Sequence, residues 1–227
     1  MERKHGKKVV GMENFMENQD GEFGERRELM VADLMAQGIL RTDAIIRAFM
    51  QVPRHVFAGS ENENVAYADY PVPIPSGQTI SAPHMVAAMT ELLQPDAKDK
   101  VLEIGAGSGY QAAILSKLVK KVYTLEIDSA LNVFAKTNLA KAGVKNVLVI
   151  EGDGSKGYAK AKPFDKVIVT CATPEIFDSW VRQLKIGGLL IAPVGAGFYQ
   201  ELVRIKKTSK GLEKTNLGAV AFVPLRR

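Results

Sequence analysis

Val101-Leu102-Glu103-Ile104-Gly105-Ala106-Gly107-Ser108-Gly109-Tyr110 runs from a short apolar stretch, through three alternating glycines, into a helical pattern. The stretch reads as strand, tight turn and helix. Glycine permits the left-handed backbone such a turn needs and lets a ligand approach where a Cβ would block it. The amides that open the following helix are expected to face that ligand. Outward from this point the rhythm repeats. Helices are predicted over 110–119 and over 129–142, the second stopped by Gly143. Apolar strands are predicted at 122–125, 147–150, 166–169 and 189–191. Strands alternating with helices imply an α/β fold, a mostly parallel sheet with helices on both faces. Residues 201–207 and 212–223 flank Ser209-Lys210-Gly211, which predicts an antiparallel C-terminal hairpin at the sheet edge.

The N-terminal part is different. Residues 1–24 hold Gly6, Gly11, Gly21 and Gly24 among many charges and are expected to form a flexible extension. Residues 25–227 then make one domain: a small helical part with a loop at 25–95, and the sheet at 96–227. A helix over 25–37 offers Leu29, Leu34 and Met35 to the core and stops at Gly38. Thr42 and Asp43 are placed to cap a second helix bearing Ile45, Ile46, Phe49 and Met50, which Pro53 ends. Pro71, Pro73, Pro75 and Gly77 predict an extended loop over 59–80. Ser81 then reads as the N-cap of a helix with Pro83 in its first turn.

Composition narrows the class. The chain has 227 residues, 46% of them hydrophobic and 24% charged, as a soluble globular protein does. There is neither a membrane-length apolar run nor a secretory leader pattern, so a cytoplasmic protein with no membrane partner is expected. One cysteine, Cys171, and three scattered histidines, His5, His55 and His84, predict neither disulfide nor metal site. Of the formal charge of +5, residues 1–8 supply three and Arg226 with Arg227 supply two. The body is therefore neutral, which argues against a nucleic-acid partner, and the terminal charges read as solvated tails.

The glycine pattern is GxGxG, with Tyr110 where a dinucleotide fingerprint has its last glycine. Glu126, a strand-end acid, suits the ribose hydroxyls of a dinucleotide or of S-adenosyl-L-methionine and does not choose between them. Glu103 does discriminate. A carboxylate ahead of the turn repels a pyrophosphate but favours the ammonium and sulfonium of S-adenosyl-L-methionine. Asp153 and Gly154 follow the third strand of this series and suit an adenine ring. These residues favour a methyltransferase, with a dehydrogenase or a ligand-free turn left as alternatives. His84, Cys171 and Trp180 read as structural polarity, a structural thiol and core packing.

Gly77-Gln78-Thr79-Ile80-Ser81-Ala82-Pro83-His84-Met85 is more specific. With the glycine stretch, Asp69-Tyr70-Pro71, Gly152-Asp153-Gly154 and Phe222-Val223-Pro224-Leu225, it resembles the protein-L-isoaspartate O-methyltransferase family from about Leu29 to Leu225. The resemblance implies a Rossmann-like class I methyltransferase sheet of seven strands, its last strand antiparallel. It implies methyl transfer from S-adenosyl-L-methionine to the free α-carboxylate of L-isoaspartyl residues in damaged proteins, after which the ester collapses to a succinimide. Carried onto this chain, the active-site serine is Ser81, with Thr79 beside it in the substrate pocket. A longer C-terminal tail, found in some relatives, is not carried over. The competing functions are a methyltransferase for RNA or a small molecule and a binding module without turnover. A monomer is expected.

Overall fold

The computed structural model describes residues 21–197 and 199–227. The expected flexible extension therefore lies almost wholly outside the described residues. The first helix, α1 (Glu22–Ala36), starts three residues earlier than predicted. Its buried stripe is Arg27, Met30, Val31 and Leu34, spaced as one helical face. Leu29 (65% exposed) and Met35 (42%) lie off that stripe, so two of the three core residues expected here face solvent. Helices α2 (Asp43–Gln51) and α3 (Arg54–Ala58) follow. The start of α2 is held from outside, since the Glu91 carboxylate accepts from the amides of Arg41 and Thr42 and from the Thr42 hydroxyl.

The predicted loop over 59–80 is partly ordered into a two-stranded antiparallel hairpin, β1 (Val72–Ile74) and β2 (Gln78–Ile80). Val72 and Ile74 are buried and Pro73 is exposed, the alternation of a strand. A proline is tolerated because the hairpin has no further neighbour to satisfy. Ser76 and Gly77 turn the chain with positive φ of 59° and 66°. Helix α4 (Pro83–Leu93) comes next, and its N-cap is Ala82. Ser81 is thus one residue too early to cap it, a correction to the expectation above.

The main sheet contains β3 (Lys100–Ile104), β4 (Lys121–Glu126), β5 (Val147–Glu151), β6 (Phe164–Val169), β7 (Leu184–Ala196), β8 (Tyr199–Thr208) and β9 (Gly211–Val220). Its order is β5-β4-β3-β6-β7-β8-β9. The first five are parallel. The strand that opposes the others is β8, antiparallel to both β7 and β9, so the antiparallel strand is the penultimate one and not the last. Helices α5 (Tyr110–Ser116), α6 (Ser129–Lys141) and α7 (Asp178–Gln183) connect the strands. Along β3, Val101 packs into an apolar cluster with α1, α2 and α4, while Leu102 and Ile104 pack into a second with Trp180. Alternation therefore turns Glu103 toward the α4 side. The chain goes from β3 outward through β4 and β5, then returns to β6 on the other side of β3, which makes β3 the topological switch point. Ligands of open α/β sheets bind beyond the carboxyl ends of the strands at such a point.

The register of α1 has a direct consequence. Leu34→Ala is expected to cost about 2–5 kcal/mol by opening a cavity, and Leu29→Ala under about 0.5 kcal/mol as a surface change. Urea titration of both variants checks this; equal losses would refute the assigned face.

Candidate active site

Beyond the carboxyl end of β3 lies a pocket enclosing about 890 Å³, counted with its open mouth. Its floor is the chain leaving β3, and Gly105, Gly107 and Gly109 hold φ of 96°, 53° and 88° there. A Cβ on Gly105 would sit 2.8 Å from the Thr170 hydroxyl, and one on Gly109 would sit 3.2 Å from Leu139 Cγ. These glycines serve both the left-handed turn and close packing beneath the ligand.

The amides of this turn are largely spent inside the protein. Gly105 and Ala106 donate to the Leu125 carbonyl, Gly109 to Ala106, and Tyr110 to the Ser108 hydroxyl. Gly107 donates to Glu126 Oε2 at 2.9 Å. The expectation that the helix-opening amides face a ligand is therefore corrected. A pyrophosphate needs those donors, and a nucleoside that carries no phosphate does not.

Glu103 is fully buried and lines the pocket, and among the described residues neither of its oxygens makes a hydrogen bond of good geometry, the Thr124 hydroxyl being only a weak contact. Burial pushes its carboxyl up to about 8 against the opposing contact of the Thr124 hydroxyl, with a smaller upward contribution from the charge of Glu126. An unpaired buried carboxylate is costly unless a cation meets it. A ligand with an ammonium and a sulfonium fits this position, and a pyrophosphate does not. Glu126, at the end of β4, is 8% exposed and lines the same pocket. Its Oε1 accepts the Asp128 amide at 3.1 Å. Each oxygen keeps a lone pair for a hydroxyl donor such as a ribose.

Gly154 lines the pocket, and a Cβ there would lie 2.5 Å from Ile104 Cγ2. Its carbonyl accepts the buried Trp180 indole N–H at 2.8 Å, so Trp180 both packs the core and fixes this wall. Asp153 is not among the lining residues. Its Oδ1 accepts the Ser155 amide and hydroxyl at 2.9 and 2.7 Å, which makes it the cap of a short helical turn. Its other oxygen, Oδ2, lies 3.5 Å from Lys156 Nζ at the edge of the pocket wall.

Thr79 and Ser81 reach the pocket from the other side, at the end of β2. The Ser81 carbonyl accepts from Arg54 Nη2 at 2.8 Å. Arg54 is fully buried, gives its Nε to the Ala66 carbonyl at 2.6 Å, and lies 4.8 Å from the Tyr110 ring centre. One guanidinium thus fixes both ends of the segment that delivers Ser81. His84 is held by Asp69, which meets its amide and Nδ1 at 2.9 Å each. Cys171 lines the pocket, but burial pushes its thiol up to about 12, far from a nucleophilic thiolate at neutral pH.

Two elements of the site, Thr170 and Arg54, carry no motif that marks them in the sequence. Thr170 sets its hydroxyl 2.9 Å from the Ile104 carbonyl and 2.6 Å from that of Gly105. Its place directly after β6, beside the switch point, is the one signal that points to it. Arg54 gives no such signal. The chain from Phe222 to Arg226 also lines the pocket. Arg226 and Arg227 are exposed, as expected, but are not loose ends: Arg226 contacts Asp128 and Ser76, and Arg227 sits 4.5 Å from the Phe177 ring centre.

Comparison with known proteins agrees with this geometry. Residues 25–227 match the family model of protein-L-isoaspartate(D-aspartate) O-methyltransferase. A protein-L-isoaspartate O-methyltransferase of Methanopyrus kandleri is 45% identical over 92% of this chain and 95% of its own length. That of Pyrococcus horikoshii is 48% identical over 90% and 94%. A solved protein-L-isoaspartate O-methyltransferase superposes with a TM-score of 0.79 at 29% identity, over 87% of this chain and 65% of that one. A Plasmodium falciparum structure described by the same name, in complex with S-adenosyl-L-homocysteine, gives 0.78 at 26% identity over 88% and 98%. The chain belongs to the protein-L-isoaspartate O-methyltransferase family.

Proposed function

We propose that this chain moves the methyl group of S-adenosyl-L-methionine to the free α-carboxylate of L-isoaspartyl residues in damaged proteins and peptides. The observation that carries this reading is one pocket with an unpaired buried carboxylate, Glu103, on its cofactor side and two hydroxyl residues, Thr79 and Ser81, on its other side. The matched family and the names of its relatives support the substrate class.

S-adenosyl-L-methionine supplies an electrophilic methyl group on a sulfonium. Glu103 would meet the positive end of that molecule, Glu126 the ribose, and Gly105, Gly107 and Gly154 would leave room for its body. The nucleophile brings its own charge, because an α-carboxyl has a reference pKa of about 3.3–3.7 and is ionised at neutral pH. The protein therefore needs no general base. Its task is alignment and dryness. Thr79 and Ser81 donate to the carboxylate, and Ile80, Val86 and Leu125 give the pocket apolar wall. Arg54, pinned to the Ser81 carbonyl, restricts where that hydroxyl can point. We place the activity in the cytoplasm, in a monomer, in keeping with one buried cysteine and a neutral body.

Paired peptides that differ only in an L-isoaspartyl or L-aspartyl linkage test the substrate. Base-labile methyl incorporation is expected in the first alone, and equal incorporation into both, or none, would overturn the assignment. Ser81→Ala is expected to leave stability within about 0.5 kcal/mol, since the residue caps no helix. Its kcat/KM should fall roughly tenfold to a hundredfold, the cost of one hydrogen bond to a charged group. A variant with unchanged turnover would remove Ser81 from the mechanism. The Glu103 carboxyl, raised to about 8, is mostly protonated at neutral pH in the free protein, and a cation binds better to its ionised form. Cofactor affinity should therefore strengthen as pH rises, by about tenfold from pH 6 to pH 7. Calorimetric titration of wild type and Glu103→Gln measures this; the same slope in both would show that another group is responsible.

A further inference from the structure

The open side of the pocket is crossed by the chain that follows β9. The Ala172 amide donates to the Val223 carbonyl at 2.8 Å, and the Leu225 amide donates to the Ala172 carbonyl at 2.7 Å. This strap therefore lies beside the chain leaving β6. Gln200 pins its start, accepting the Phe222 amide at 2.7 Å and donating to the Phe222 carbonyl at 3.0 Å.

The far end of the strap is held by Arg226, with Arg227 beside the Phe177 ring. Arg226 Nη1 lies 3.2 Å from Asp128 Oδ2, and Nη2 donates to the Ser76 carbonyl at 3.0 Å. Asp128 follows β4 and caps α6 through its other oxygen, which accepts the Leu131 amide at 3.0 Å. Ser76 is the turn of the β1–β2 hairpin, three residues before Thr79 and five before Ser81. It is a non-glycine residue at φ 59° and ψ 23°, a conformation that persists where its surroundings hold it. One guanidinium thus ties the strap to the start of α6 and to the hairpin, two walls that also meet directly where Asp128 contacts the Ser76 side chain. A planar fork with several donors suits that double contact, whereas a lysine ammonium is a single point.

We propose that Arg226 is a positioning residue that clasps the strap, α6 and the hairpin over the bound cofactor, so that cofactor retention depends on it. This rests on the methyltransferase reading of the pocket, because the clasp acts on what lies beneath it. No atom of Arg226 takes part in the chemistry. Its side chain is 47% exposed and that of Asp128 20%, so the pair contributes little to global stability. It acts on local opening of the pocket, a lower-energy event than unfolding.

The test is the rate at which S-adenosyl-L-homocysteine leaves the full-length protein, followed by displacement in stopped flow. Arg226→Ala is expected to release it roughly twofold to fivefold faster, the scale of one partly exposed charged contact. Arg226→Lys should recover part of the loss. Asp128→Asn keeps the helix cap and removes the charge, and should release at least as fast as Arg226→Ala, because Asp128 also meets the Ser76 side chain. The double variant should be no faster than the faster single variant, because both remove one contact. Arg182→Ala, which removes an exposed cation on α7, controls for charge alone and should release at the wild-type rate. Melting temperatures should agree within about 2 °C, since an exposed pair contributes little. Release from Arg226→Ala within about 1.5-fold of wild type, or fully additive rates in the double variant, would overturn the clasp while leaving the cofactor reading intact. A wild-type protein that binds no S-adenosyl-L-homocysteine would overturn both.

Discussion

The hydrogen bond from the Gly107 amide to the Glu126 carboxylate joins the turn after β3 to the end of β4, and the other walls of the pocket are arranged around that junction. It holds only if the turn is left-handed at Gly105, Gly107 and Gly109 and if β4 ends in an acid. Once it is made, the Thr170 hydroxyl beneath Gly105 brings in the end of β6, and Gly154, packed on Ile104 and tied to Trp180, brings in the end of β5. The switch point of the sheet thereby becomes a cavity and not a packed edge. With the turn's amides already bonded to protein, the cavity is left to a ligand that does not need a cradle for phosphate.

Electrostatics then divides the cavity. The cofactor side carries Glu103, without a hydrogen bond of good geometry among the described residues and with its carboxyl raised by burial. The opposite side carries neutral hydroxyls on a segment that the buried Arg54 holds in place. A cationic methyl donor and an anionic acceptor are each met by groups that suit them. The reaction between them needs no proton transfer. His84, held by Asp69, and the Cys171 thiol, kept protonated by burial, are accordingly not needed as bases.

What was legible in the sequence followed from short-range constraints. The alternation of strands and helices, the glycine turn, Glu103 at its head and the hydroxyl pair before α4 all depend on residues close together in the chain. The misreadings came from element boundaries and from partners distant in the chain. Ser81 has the right residue type for a cap, but the helix begins at Pro83 and the cap position falls to Ala82. Asp153 also caps a short turn, its Oδ1 accepting from the Ser155 amide and hydroxyl, a second task that the sequence does not announce. Leu29 and Leu34 are equally apolar, and only the neighbouring helices decide which is buried. Arg226 meets partners 98 and 150 residues away, a contact that no local pattern announces. The hairpin at β1 and β2 was hidden by its prolines, which sequence reasoning assigns to loops unless the pairing partner is known.

The central claim is that the two sides of this pocket bring a carboxylate oxygen into line with the cofactor sulfur. A crystal structure of the protein with S-adenosyl-L-homocysteine and an L-isoaspartyl peptide measures that directly. The account predicts the peptide's α-carboxylate within hydrogen-bond distance of the Ser81 hydroxyl, one of its oxygens facing the sulfur, and the homocysteine ammonium near Glu103. A carboxylate turned away from Ser81, or a cofactor whose ammonium lies far from Glu103, would contradict it.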